Sequence, residues 1–411
     1  MLLTGGGAAA LLAVGAGPAA ATGRPDADVV VAWNQLLLRI VRTAGAQPAT
    51  VHPTRDFAIM HAAMHDAVLA TTGGGHPYLF RVNADPGASP VAAGAQAAHD
   101  VLAALFPKLA EELDRQLTAD LATVRHAGAR LAGARAGALT ARLLLALRAG
   151  DGSSATPPAL PPGTEPGQYR PTPPGFAPAV FTHWPAVTPF VLGRADRFRP
   201  APYPALGTVR YARATNEVKA LGQDTSDTRT PDQTVQARFW AAPIWNYWNE
   251  ITQSVVLDRH TSLAAAAHVF ARLNLAFADA VIAFYEAKYH YRIWRPITAI
   301  RLADQDTNPA TRGDVSWNSL ATTPADPAYP GAHSVIARAG ATVLADAFGP
   351  AHRLTVTSEA LPGTQRQFTR FADAAEEAGL SRIPAGVHTR LDHESGRWLG
   401  ADVARFVLDR T

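Results

Sequence analysis

The 411-residue chain contains no cysteine, which excludes disulfides, thiolate nucleophiles and any zinc or iron–sulfur site built on thiolates. Lysine is nearly missing as well. Lys108, Lys219 and Lys288 are the only three among 37 basic residues, so each lysine carries information. No sign of charge dominates, because those 37 face 34 acidic residues for a net charge of +3. So even a balance is not the footprint of a nucleic-acid groove or of a membrane-surface patch. Alternating strand patterns are scarce, and no segment beyond the N-terminus reads as long and apolar enough to span a bilayer. These absences describe a soluble protein with no nucleic-acid partner and no transmembrane anchor.

What is present is apolar and helical. Hydrophobic residues make up 47% of the chain, enough for a large core. The first 21 residues, "MLLTGGGAAALLAVGAGPAAA", form an apolar run closing on Ala19-Ala20-Ala21. It reads as an export signal of a secreted protein, although its start lacks the usual basic residue. From 22 to 150, "WNQLLLRIVRTAG", "RDFAIMHAAMHDAVLAT" and "VAAGAQAAHDVLAALF" repeat apolar residues at three-to-four spacing, the pattern of packed antiparallel helices. Residues 151–205 hold a connector in which Thr156 to Pro204 carries 14 of the chain's 32 prolines. Proline forbids regular helix there, while Phe176, Phe181, Trp184 and Phe190 predict a segment laid over a surface. Helical periodicity returns from 206 to 411, including "PDQTVQARFWAAPIWNYWNEITQSVVL" with Pro231 at a helix start, "TQRQFTRFADAAEEAG" and "TRLDHESGRWLGADVARFVLDR". The fold class expected is all-α, two packed helical bundles about a Pro-rich connector.

Three short blocks in the last third carry chemistry. In "KYHYRIWRP", Lys288 and Arg295 stand seven residues apart, two helical turns, with Pro296 predicted to end the helix at Arg295. In "YPGAHSVIARAG", Pro330 and Gly331 close a loop and His333 opens a helix. The amides of Gly331 and Ala332 would then lie at a helix N-terminus, which favours an anion. His333 would stand beside it as proton donor or acceptor, titrating near neutrality. In "SRIPAGVHTRLD", Arg382 and His388 flank a shaped turn, and Asp392, one turn beyond His388, is placed to orient its imidazole. Three cations, two amides and two histidines describe a pocket for a tetrahedral oxyanion of charge near minus two. Asp224, Asp227 and Asp232 are candidates for an acidic partner of His333. A zinc pair at His61 and His65 has helical ligand spacing but no glutamate after His61 and no third ligand.

The order Lys-x6-Arg-Pro, Pro-x-x-His-Ser, Ser-Arg-x5-His resembles the three-part signature of the phosphatidic acid phosphatase type 2 and vanadium-dependent haloperoxidase superfamily. The flanking text "FYEAKYHYRIWRPITAIR", "RTPDQTVQARFW" and "RDFAIMHAAMHDAV" looks like its secreted bacterial haloperoxidase-like branch. The resemblance implies a haloperoxidase-like all-α fold and an enzyme that uses vanadate, with phosphate able to take the same site. Lys288, Arg295 and Arg382 would bind the anion's oxygens, His388 would be joined to its central atom, and His333 would be the acid–base group. Implied partners are hydrogen peroxide, a halide and a small organic acceptor in a peroxidase, or a phosphoester in an acid phosphatase acting through a phosphohistidine. A degenerate oxyanion-binding protein is the third reading, and a homo-oligomer is left open. The chain departs from the family at Gly331-Ala332, where the block commonly reads Ser-Gly. One hydrogen bond to the anion, on the order of 1.5–3 kcal/mol, is then missing, and vanadate affinity is expected to fall.

Overall fold

Five helix starts among the described residues are marked by short hydroxyl side chains. Ser89, Thr208, Thr230, Ser262 and Thr389 each accept an N–H of the first turn that follows them, satisfying a donor that no helical carbonyl reaches. The computed structural model describes residues 28–411, and the segment 1–21 read as an export signal lies outside them. The first bundle comprises α1 (Asp28–Arg42), α2 (Pro53–Thr72), α3 (Pro90–Leu105), α4 (Ala110–Ala122) and α5 (Ala127–Arg148). After the connector come α6 (Val209–Gly222), α7 (Pro231–Phe239), α8 (Ile244–Asp258), α9 (Leu263–Tyr291), α10 (Pro296–Arg301) and α11 (Ala332–Phe348). An antiparallel hairpin, β1 (Ala351–Thr357) with β2 (Gln365–Arg370), precedes α12 (Phe371–Leu380) and α13 (Arg390–Leu408). Among the described residues this hairpin is the only sheet, so the fold is all-α in class.

Three expectations about elements are corrected. "TQRQFTRFADAAEEAG" is not one helix: Gln365–Arg370 pairs with β1, whose Leu354 and Val356 alternate inward, and α12 starts only at Phe371. The long stretch after Pro231 breaks in two at Trp240–Pro243, because Pro243 has no N–H to continue a helix and instead opens α8. The helix carrying Lys288 ends at Tyr291, not Arg295. Arg292 turns into the left-handed region at φ 50°, closing α9, and Pro296 begins a new helix with Arg295 as its N-cap.

The expectation that nothing beyond the N-terminus is long and apolar enough to cross a bilayer also fails at α9. Its 29 residues meet that test by length and composition, yet the apolar stretch lies buried inside the protein. α9 is the axis of the core. The largest buried cluster joins Phe57, Met60 and Met64 of α2 to Phe270, Phe277 and Val281 of α9 and to Ile336 and Leu344 of α11. The connector is tied to the same helix. Asp279 on α9 accepts the amides of Phe190, Val191 and Leu192 at 2.6, 2.8 and 2.8 Å. Burial pushes that carboxyl up to about 6, against the pull of the three amides.

Candidate active site

The cations and histidines of the three blocks sit at element boundaries. Lys288 is in the last turn of α9, Arg295 caps α10, Gly331 caps α11 with His333 in its first turn, and Arg382 and His388 occupy the turn between α12 and α13. Lys288 and Arg295 do not share a helical face, since α9 has already ended. They meet because the chain doubles back after Arg292, and they meet on a residue the sequence reading missed.

That residue is Asp326, in the loop leading to α11. Lys288 Nζ lies 3.2 Å from its Oδ2, and the Arg295 guanidinium pairs with its Oδ1. Arg295 Nε also donates to the Asp326 main-chain carbonyl at 2.7 Å. Lys288 further donates to the carbonyls of Pro327 and of Ala328, the latter at 3.3 Å, so its three protons meet three acceptors. Burial pulls the Lys288 ammonium down to about 8, with Asp326 opposing the fall. Arg382 differs. Buried, it donates only to the carbonyls of Ala237 and Trp240, both at 3.3 Å, and among the described residues no carboxylate pairs with it. Burial and the charge of Arg295 lower it to about 10.

The two histidines are held in defined tautomers. His388 Nε2 lies 3.1 Å from Arg295 Nη1, which can only donate, so Nε2 carries the lone pair. Its Nδ1 then bears the proton and faces Asp392 Oδ2 at 3.3 Å, the carboxylate that also accepts the Thr389 amide at 2.7 Å. His333 Nε2 donates to the Trp240 carbonyl at 2.8 Å, which leaves Nδ1 unprotonated. Burial first and neighbouring cations second hold both imidazoles well below the usual histidine range. The expectation that His333 titrates near neutrality is corrected: burial and the Arg382 charge keep it neutral. Its ring is positioned by a backbone carbonyl, whereas Asp224, Asp227 and Asp232 are exposed and Asp232 pairs with Arg366 at 2.9 Å.

The helix-start amides are also only partly free. Gly331 N–H donates to the Asp392 carbonyl at 2.9 Å, so the expected anion contact at Gly331 is already taken by main chain. Ala332 lines the cavity. That cavity, about 450 Å³, is lined by Arg295, Asp326, His333, Arg382 and His388. Aromatic groups line it too: Phe181 from the connector, Trp245 from α8, Tyr285 from α9 and His52, which caps α2. Lys288 is not among these lining residues. His61 and His65 lie elsewhere in α2, His61 against Asn34 at 2.8 Å and His65 against the His76 carbonyl at 3.3 Å. Asp326 had one signal in the sequence, a carboxylate alone among the prolines and alanines of "PADPAYP" ahead of His333.

Known proteins resemble this chain in sequence and fold. Residues 268–411 match the family model of the VCPO second helical-bundle domain. A 152-residue stretch is 27% identical to the vanadium chloroperoxidase of Curvularia inaequalis, spanning 31% of this chain and 24% of that relative. The crystal structure of the first bacterial vanadium-dependent iodoperoxidase superposes with a TM-score of 0.81 at 23% identity, covering 93% of this chain and 96% of the other. The holo-type bacterial vanadium-dependent chloroperoxidase gives 0.70 at 14% identity, with 87% and 90% covered.

Proposed function

Because the chain belongs to the phosphatidic acid phosphatase type 2 and vanadium haloperoxidase superfamily, we propose that its cavity holds vanadate on His388 and uses hydrogen peroxide to oxidise a halide. One observation carries this reading. A buried arginine with no carboxylate partner among the described residues, Arg382, stands on the same cavity as a neutral histidine, His388, whose unprotonated Nε2 accepts from Arg295 at 3.1 Å. A desolvated cation is costly unless an anion offsets it, and an unprotonated imidazole nitrogen is the ligand form of histidine. The residues present therefore fit a tetrahedral oxyanion.

When bound, vanadate supplies the peroxide-dependent two-electron oxidation of halide. The chain's own groups bind, orient and move protons. Asp392 fixes the His388 tautomer through Nδ1, keeping Nε2, which faces Arg295, unprotonated. Arg382 and Arg295 offset the anion's charge in a site where low polarity strengthens each contact. His333, its Nε2–H committed to the Trp240 carbonyl, accepts a proton at Nδ1 from a donor in the cavity. Burial first and the Arg382 charge second keep His333 weakly basic, and its basicity would rise toward that task where the Arg382 charge is offset. The aromatic lining of the cavity keeps bulk water away and gives an organic acceptor an apolar surface.

Vanadate titration tests the reading. Bromide-dependent halogenation of monochlorodimedone that rises with added vanadate is the expected result. Hydrolysis of p-nitrophenyl phosphate that falls with vanadate, with no halogenation at any dose, identifies a phosphatase instead, since vanadate then mimics the five-coordinate transition state.

A further inference from the structure

One charged group on the cavity has no part in the chemistry above. Asp326 is buried, with one cation on each carboxylate oxygen: Lys288 at 3.2 Å from Oδ2 and Arg295 on Oδ1. Burial alone would raise its carboxyl, but Lys288 and Arg295 together hold it below the ordinary range, so it is charged. A carboxylate bridging two cations occupies the contacts that two oxygens of a bound oxyanion would make. It also lines the cavity beside Arg382 and His388, so a solute that reaches them meets it too.

We propose that Asp326 is a built-in competitor for the oxyanion, lowering its affinity and selecting dianions over monoanions. The inference rests on the oxyanion reading of the cavity. Arg382 needs no carboxylate displaced from it, yet an anion that reaches it meets the charge of Asp326 on the same cavity. Arg295 and Lys288 become available only when the Asp326 carboxylate leaves them. Exchanging that carboxylate for a monoanion leaves the Coulomb energy at the clamp nearly unchanged and still requires the displaced charge to be accommodated. A dianion brings an extra unit of charge to three cations, which favours the exchange. His52 offers the displaced carboxylate a partner: it shares the cavity, its Nδ1 accepts the Thr54 amide, and its proton is therefore on Nε2.

Isothermal titration at pH 8 with inorganic phosphate, and with perrhenate as a tetrahedral monoanion, tests this on the wild-type protein, Asp326→Asn and Asp326→Ala. Asp326→Asn should bind phosphate at least about tenfold more tightly, a change of one decade in Kd, and should bind perrhenate, which the wild type rejects. In Asp326→Ala, added formate should refill the clamp and compete with phosphate, an effect absent from the wild type. Phosphate should also raise the melting temperature of Asp326→Asn by more than that of the wild type. A variant that folds only when phosphate is supplied counts for the proposal, and one that phosphate does not rescue counts against it. Wild-type binding with unchanged or weaker affinity in Asp326→Asn overturns it and leaves the oxyanion reading standing, with Asp326 then a scaffold for Lys288 and Arg295. Absence of phosphate and vanadate binding in all three proteins overturns the oxyanion reading itself.

Discussion

At the scale of single residues, the site separates a group that costs stability from groups that do chemistry. Arg382 is a buried cation with only carbonyl oxygens as partners. Arg382→Met should therefore leave the melting temperature unchanged or raise it, while weakening phosphate or vanadate binding by about 2–5 kcal/mol, since a desolvated charge pair is lost from the complex. Calorimetry and titration on the same preparation check both halves, and a variant that melts lower but binds normally would refute the assignment. The two histidines should part in a different way. On the proposed reading, in which His388 Nε2 would hold the vanadate, His388→Ala should no longer retain vanadium after gel filtration. His333→Ala should retain it and lose roughly 10²–10⁴ in turnover, the usual share of a positioned acid or base.

Secondary-structure elements set how far apart those histidines stand. α11 carries His333 and the turn before α13 carries His388, and the two helices touch backbone to backbone. A Cβ on Gly400 of α13 would fall 2.1 Å from the Val335 carbonyl of α11, and one on Gly396 2.7 Å from the Gly331 carbonyl. Gly400→Ala must push the helices apart. The expected cost is about 1–3 kcal/mol, as for other overpacked sites, together with weaker phosphate binding, because Ala332 and His333 move with α11. Gly128→Ala at the start of α5, where an added Cβ meets nothing within 4 Å, is the matched control. Its stability and affinity should stay at the wild-type level, and equal losses in both variants would contradict the packing argument.

For the whole molecule, the buried cluster runs without interruption from α2 through α9 to α11. Heat should therefore unfold the protein in one cooperative transition, with calorimetric and van't Hoff enthalpies equal. Two resolved transitions would show that the bundles melt separately. Acid should destabilise it. His52 and His61 are held at about 3 and His268 at about 4, chiefly by burial, and His333 and His388 also lie well below the ordinary range. Below the unfolded value near 6.5 the unfolded chain binds protons that the fold refuses, so these histidines withdraw stability as pH falls. Asp56 and Asp279, raised to about 6 mainly by burial, act oppositely between pH 6 and 4, but fewer groups are involved. The melting temperature should drop steadily from pH 6.5 to pH 4.5, and a flat or rising profile would contradict the neutral buried histidines.

The sequence alone determined the helical class and singled out Lys288, Arg295, His333, Arg382 and His388 as candidates, because apolar periodicity and short spaced blocks are local properties of the chain. Pro231 marked a real helix start for the same reason: the proline and the helix it opens are neighbours. Whatever depends on atoms distant in sequence was decided only by the fold. Arg292 ended α9 early, so Lys288 and Arg295 meet through a reversal of the chain and on Asp326, 38 and 31 residues away from them. The Gly331 amide found the Asp392 carbonyl, and His333 found that of Trp240, 93 residues distant. His52 and Phe181 reached the same cavity from the first bundle and the connector. Electrostatics and desolvation act through space, and a pocket of converging charges takes its protonation states and its internal counter-ion from neighbours that only tertiary packing supplies.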